Sequence, residues 1–165
     1  MTRIQQSLTI QSPVEEVTAY TSDPAHMPEW NKMIERVWDI QPTPEVVGTA
    51  WKVLVRVMGA EHQVAARLNL YEPLSRFGIE LVGGAPGVPG LAAYLVVEAR
   101  PAHALSPNDS SSSTQIICTL TIRFPILMGG AALGAIVSPV ISDQLRRGLL
   151  DLKRVLESRR KPSNA

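Results

Sequence analysis

Alternation of apolar and polar residues with a period of two recurs through most of this chain. In the clearest stretch, Trp51, Val53 and Val55 share one face of a predicted strand. Lys52 and Arg56 share the other face, as is typical of a strand with one buried side. Four later sets continue the buried face: Ala66, Leu68 and Leu70; Phe77, Ile79 and Leu81; Leu91, Ala93, Leu95 and Val97; Ile116, Cys118, Leu120, Ile122 and Phe124. The pattern predicts a one-sided antiparallel sheet of about six or seven strands, whose apolar face must be covered.

The predicted cover is a long C-terminal helix. Its apolar residues recur at spacings of three and four, which gives one continuous stripe: Ile141, Leu145, Leu149, Leu152 and Leu156. Gly129–Ala135, just before it, is rich in small residues and is compatible with either helix or loop. Pro139 is compatible with a fresh helix start or with a kink in a longer helix.

Two short helices are predicted between the first strand and the rest of the sheet. The first strand lies within 4–10, and the first helix within 13–21, with Ser12 as its cap and Glu15 as the capping-box partner. The second helix is predicted from about Pro24 to Met33. The order of elements indicates an α+β fold in which a curved sheet wraps around the final helix.

Bulk composition narrows the functional classes. The chain has 165 residues, which predicts one domain over 1–160 and a tail over 161–165. Its net charge of +1 does not favour nucleic-acid binding. Cys118 is the only cysteine, and no apolar leader precedes the first strand, so we expect a cytoplasmic protein. The uncharged run over 124–142 contains prolines and glycines, so no stable membrane insertion is expected.

The residues around the first helix resemble those of the START-like (SRPBCC) superfamily. The resemblance rests on Ile10 with Ser12–Val17, on Asp23, Pro28 and Trp30, and on Leu149–Lys153 with Leu156–Glu157 in the last helix. That group includes polyketide cyclase/dehydrase-like, coenzyme-Q-binding and lipid-transfer proteins. The resemblance implies a helix-grip fold with a hydrophobic cavity between sheet and helix.

The residues expected to contact a ligand are apolar. They are Trp30, Trp51, Val53, Val55, Leu68, Phe77, Leu95, Cys118, Leu120 and Leu145. The two tryptophans offer large rings for stacking on a flat ligand, with filling of the core as the alternative. Tyr94 is out of phase with Leu95 and is expected to face away.

Few groups in the sequence are suited to acid–base chemistry. His62, with Glu61 beside it, is the catalytic candidate, although both are expected at a solvent-exposed hairpin tip. His26 and His103 are expected at the surface, and the three histidines lack the spacing of a zinc site. We therefore expect no metal and no cofactor.

Three functions remain open from the sequence. The first is a carrier or binding protein for a small hydrophobic, lipid-, quinone- or polyketide-like ligand, with Gly83–Gly90 as a mobile lid. The second is a polyketide cyclase/dehydrase-like enzyme in which His62 moves protons. The third is a protein-interaction module with an apolar groove. The protein is expected to be a monomer or a homodimer.

Overall fold

Seven strands and three α-helices make up the part of the chain that can be described. The computed structural model describes residues 1–41, 46–57, 59–82, 92–102, 112–123 and 130–160. The elements follow one another as β1 (Thr2–Ile10), α1 (Val14–Ser22), a 3-10 turn (Pro24–His26), α2 (Met27–Trp30), β2 (Ile34–Gln41), β3 (Ala50–Val57), β4 (Ala60–Glu72), β5 (Arg76–Val82), β6 (Ala92–Pro101), β7 (Thr114–Arg123) and α3 (Gly130–Arg160). His103, Gly83–Gly90, most of the Ser-rich segment over 106–113, and the tail over 161–165 lie outside the described residues.

The strands form one curved antiparallel sheet in the order β1-β7-β6-β5-β4-β3-β2. Each strand after β2 pairs with its neighbour in sequence, and β7 closes the series against β1. Such a sheet buries one face only, and α3 lies against that concave face. The predicted helix-grip architecture is confirmed.

Helix α3 buries the predicted stripe. Leu149, Leu152 and Leu156 are at most 1% exposed, whereas Leu150, between two of them, is 44% exposed. The helix begins at Gly130 and runs through Pro139 without ending there. The segment from Gly130 onward is therefore helical, and Pro139 lies inside one long helix.

The backbone of α3 is close to only part of the sheet. Several Cα pairs come within 8 Å between α3 and β1, and between α3 and α2. In the described ranges, β3 to β6 have at most isolated approaches of this kind to α3. The backbone of α3 therefore lies farther from the middle of the sheet than from β1.

Helix α1 begins one residue later than predicted. Pro13 has extended backbone angles and is the N-cap, and Val14 is the first helical residue. Ser12 Oγ donates to Glu16 Oε2 at 2.5 Å, so Glu16 is its carboxylate partner and the prediction of Glu15 is wrong. The shift arises because proline here continues the extended chain before the helix starts.

The second helix is also shorter than predicted. After the 3-10 turn, α2 makes a single turn and ends at Trp30, because Asn31 returns to extended backbone. A side chain at Gly148 of α3 would have its Cβ 2.6 Å from the Trp30 carbonyl oxygen. Glycine at that position is therefore what allows α2 to pack this close to α3.

A β-bulge changes the face of one predicted core residue. The pairing of β4 with β5 shifts between Leu68 and Leu70, so Leu70 pairs with Gly78 on the outer face. Its predicted inward orientation is wrong, and Tyr71 packs against the core instead. Tyr94 faces away from the core as predicted. Its hydroxyl lies against Gly78, at the place where a Cβ would project on the outer face.

A polar network holds α1 and α2 to the end of α3. Tyr20 Oη donates to Glu29 Oε2 at 2.5 Å, and the other carboxylate oxygen lies 2.8 Å from His26 Nδ1. The His26 ring stacks on Tyr20 with 4.4 Å between centroids, and the Arg159 guanidinium lies 4.5 Å from the centre of the Tyr20 ring. Burial and the bond to Glu29 raise the pKa of Tyr20.

This network predicts a loss of stability in acid. The hydrogen bonds with Tyr20 and His26 lower the pKa of the Glu29 carboxyl. A carboxyl with a lowered folded-state pKa stabilises the fold above its unfolded-state pKa, and that stabilisation is lost as pH falls through the folded-state value. Glu29→Gln should reduce the free energy of unfolding by about 0.5–1 kcal/mol near neutral pH, since the site is partly exposed.

Urea unfolding of the two proteins at a series of pH values would measure this. The difference in free energy of unfolding between wild type and Glu29→Gln should shrink as the pH falls through the acid range. Glu15→Gln, in the neighbouring helix α1, serves as a control. A difference that stayed constant down to acid pH would contradict the proposed linkage.

Candidate ligand-binding site

Toward one end of the sheet, six side chains of the inner strands that share the concave face are only half buried. They are Val55 near the end of β3, His62 near the start of β4, Leu81 near the end of β5, Ala93 and Leu95 in the first half of β6, and Leu120 in β7. Toward the other end, Phe77, Val97 and Ile116 are almost fully buried, and Leu8 and Tyr71 beside them are half buried. Along β5 to β7, the concave face is therefore tightly packed at one end and less completely covered at the other.

The predicted ligand contacts divide between these two regions. Three of them belong to the half-buried set: Val55, Leu95 and Leu120. The other seven are at most 3% exposed: Trp30, Trp51, Val53, Leu68, Phe77, Cys118 and Leu145. Most of the predicted set thus forms the packed floor and walls, and a smaller part lines the open end.

His62 is not at a hairpin tip. Gly59, with a φ of +82°, makes the turn, and β4 already begins at Ala60. His62 pairs with Val55 and is in phase with Val64, Ala66 and Leu68, whose side chains are buried on the concave face. The prediction of a solvent-exposed hairpin tip is wrong, because β4 begins at Ala60 and His62 is already its third residue.

Glu61 does not share this face. It lies on the outer side of β4, where it forms an ion pair of 2.7 Å with Arg56. Counting back by twos from Leu68 would have identified His62 as inward-facing from sequence. In the described strands, no other histidine, acidic or basic residue lies on the concave face.

Cys118 lies at the packed end and is fully buried. Burial raises the pKa of its thiol to about 12, so the side chain is a neutral thiol under ordinary conditions. It is therefore a packing residue with no nucleophilic character. Across the described ranges, no group of three or more metal-ligating side chains comes together.

One polar pair on the concave side was not predicted. Gln6 of β1 faces inward, and its Nε2 donates to Ser142 Oγ of α3 at 2.9 Å. The bond links residues 136 positions apart, so no local pattern in the sequence indicates it. It fixes the helix against the β1 edge of the sheet.

A separate small cleft lies beside α1 at the packed end, bordered by Thr21, Ser22 and Phe77. It has room for about one water molecule. The Ser22 hydroxyl is buried without a hydrogen-bond partner in the described part of the protein. The cleft is too small for an organic ligand, so the open end of the concave face remains the candidate site.

Comparison with protein families agrees with this geometry. The family described as polyketide cyclase / dehydrase and lipid transport matches residues 1–157, nearly the whole chain. The chain belongs to this family. Its membership confirms the START-like resemblance carried by the N-terminal motif and the last helix.

Solved structures of similar fold align with this chain over nearly its whole length. A protein of Thermus thermophilus has a TM-score of 0.74 and 14% identity, covering 96% of this chain and 99% of that one. The Zhui aromatase/cyclase of Streptomyces sp. R1128 has a TM-score of 0.69 and 16% identity, covering 99% and 98%. Ara h 8.0201 has a TM-score of 0.61 and 13% identity, covering 94% and 97%. At these identities the likeness establishes the fold.

Among curated proteins, no sequence is similar enough to count as a relative. None of the helices in the described residues is sufficiently long and apolar to span a bilayer.

Proposed function

We propose that this protein binds and carries a small hydrophobic ligand, lipid-, quinone- or polyketide-like, on the concave face of its sheet. The observation that carries the proposal is the half-buried apolar set at the open end: Val55, Leu81, Ala93, Leu95 and Leu120. Inward-facing apolar surface that the protein leaves partly uncovered favours an apolar ligand. Burying it contributes roughly 25 cal/mol per Å².

The charge distribution supports binding by apolar burial. The ion pairs of the strands lie on the outer face, as between Arg67 and Glu80 at 2.9 Å and between Arg76 and Glu72 at 2.6 Å. An ionised ligand headgroup would therefore meet no acidic or basic side chain among the described concave residues other than His62. The ligand is expected to be uncharged, at least over the part that enters the fold.

Extraction tests this proposal directly. Freshly purified protein would be denatured in organic solvent, and the extract analysed by mass spectrometry against an extract of the buffer. The expected result is one apolar small molecule in near-equimolar amount, or, if the protein is empty, saturable binding of the bicyclic ketone tetralone. Absence of both would contradict the proposal.

A cyclase or dehydrase activity is the second candidate, and the position of His62 favours it. Its imidazole is on the concave face beside the apolar surface that would hold a substrate, and imidazole is the commonest general acid–base group in enzymes. The family description includes cyclases and dehydrases, and the structurally similar Zhui protein is an aromatase/cyclase. His62 would transfer protons to and from a poly-β-ketone bound at the open end.

This second candidate makes a kinetic prediction. If the protein turns over a linear poly-β-ketone, His62→Ala should lower the rate about 100-fold or more, since general acid–base catalysis contributes on that scale. Gln63→Ala, one residue along β4 on the exposed face, should leave the rate unchanged. Product formation followed by chromatography measures both, and equal rates for wild type and His62→Ala would exclude His62 as the acid–base group.

A further inference from the structure

Two buried indole N–H groups have no hydrogen-bond acceptor in the described part of the protein. They belong to Trp30, which is 1% exposed, and Trp51, which is 2% exposed. Nearly all buried polar groups in proteins form hydrogen bonds. Leaving one without a partner lowers the equilibrium constant for folding by a factor of roughly 5 to 150. An acceptor on another molecule, such as a ligand oxygen, would satisfy these two donors.

Trp51 lies within reach of the candidate site. It pairs with Ala66 of β4, which in turn pairs with Leu81 of β5, one of the half-buried residues. Two strand spacings, about 10 Å, separate Trp51 from Leu81 along this row. The residue between them carries only a methyl group, so no large side chain of β4 separates Trp51 from Leu81 in this row.

Trp30 bounds the same side of the interior. It ends α2, and its carbonyl oxygen lies against Gly148 of α3. The chain then continues into β2, which pairs with β3, the strand that carries Trp51. The two rings therefore belong to adjoining elements on the β2–β3 side of the sheet.

Trp38 provides an internal contrast. It is on the outer face, opposite Lys52, with the Arg36 guanidinium 4.6 Å from the centre of its ring. This third tryptophan lies at the surface, and the buried indole N–H groups without a partner among the described residues belong to the two tryptophans in the core.

We propose that the indole N–H groups of Trp51 and Trp30 donate to oxygen atoms of the bound ligand, so that the site selects apolar molecules that carry carbonyl-type oxygens over hydrocarbons of the same shape. An indole N–H is a donor only, so its partner has to be an acceptor. A site built around such donors discriminates strongly against an analogue that lacks the acceptor. This inference rests on the proposed function and names the class of ligand.

A matched pair of ligands tests it. Tetralone and tetralin share one bicyclic skeleton and differ in a single carbonyl oxygen, and their affinities would be measured by titration calorimetry. The wild-type protein should bind tetralone about 10-fold or more tightly than tetralin. Phenylalanine keeps an aromatic ring and removes the N–H, so Trp51→Phe or Trp30→Phe should abolish most of that preference, while Trp38→Phe should retain it.

The outcomes separate the two proposals. Equal affinity of wild type for the two ligands would overturn the inference and leave the proposed function standing. Binding of neither would overturn the inference, and would overturn the proposed function as well if no apolar molecule co-purifies with the protein. A preference that survived in both Trp51→Phe and Trp30→Phe would overturn the assignment of the donors.

A second readout does not depend on the folding of the variants. In a nitrogen–proton correlation spectrum of wild-type protein, tetralone should move at least one core indole resonance downfield, as formation of a hydrogen bond requires. The Trp38 resonance should stay in place. Addition of tetralone at saturation without any indole shift would overturn the inference.

Discussion

Ala93→Trp should weaken the binding of tetralone about 10-fold or more. Ala93 is a small, half-buried residue on the concave face, opposite Ile122 of β7, and an indole there would occupy the space proposed for the ligand. Excess volume in a packed site typically costs about 1–3 kcal/mol, which corresponds to roughly 5- to 150-fold in affinity. Titration calorimetry measures the change.

The neighbouring residue provides the control. Ala92 is exposed, and successive strand residues point to opposite faces, so Ala92→Trp adds the same volume on the outer side. Its affinity for tetralone should match that of wild type. Comparable weakening by both variants would indicate a general disturbance of β6, and undiminished binding by Ala93→Trp would place the ligand elsewhere.

Leu152→Ala should lower the free energy of unfolding by about 2–5 kcal/mol. Its side chain is fully buried in the stripe that α3 presents to the sheet. Truncating it to alanine removes buried apolar surface and leaves a cavity. The loss is large because the total free energy of unfolding of a single domain is only about 5–15 kcal/mol. Urea unfolding followed by circular dichroism measures the loss.

Leu150→Ala makes the same chemical change two residues away on the exposed side of α3. Its free energy of unfolding should stay within about 0.5 kcal/mol of wild type. Similar losses for the two variants would contradict the packing of the helix described above.

The sheet and its covering helix could be predicted because period-two and helical spacing are local properties of the sequence. The buried stripe of α3 and the outward orientation of Tyr94 follow from the same counting. Leu70 departs from it because a single inserted residue at the bulge reverses the face of everything that follows. The hairpin before β4 caused the second error, since Val57 already pairs with Ala60 and the strand therefore brings His62 onto the concave face.

The parts that depend on distant partners could not be predicted. The bond between Tyr20 and Glu29, the position of Arg159 on Tyr20, and the link between Gln6 and Ser142 join segments that only the fold brings together. Whether an indole N–H is paired depends likewise on every neighbour in three dimensions. Trp30 and Trp51 were identifiable as large interior rings, but not as donors without acceptors.

Isotope-filtered NOE spectroscopy of the protein with bound tetralone tests most directly whether the concave face is the binding site. We expect NOEs from the ligand to the methyl groups of Leu95 and Leu120, the half-buried leucines of β6 and β7 on the concave face. NOEs confined to outer-face side chains such as Leu54 or Leu70, or none with the protein saturated, would contradict that location.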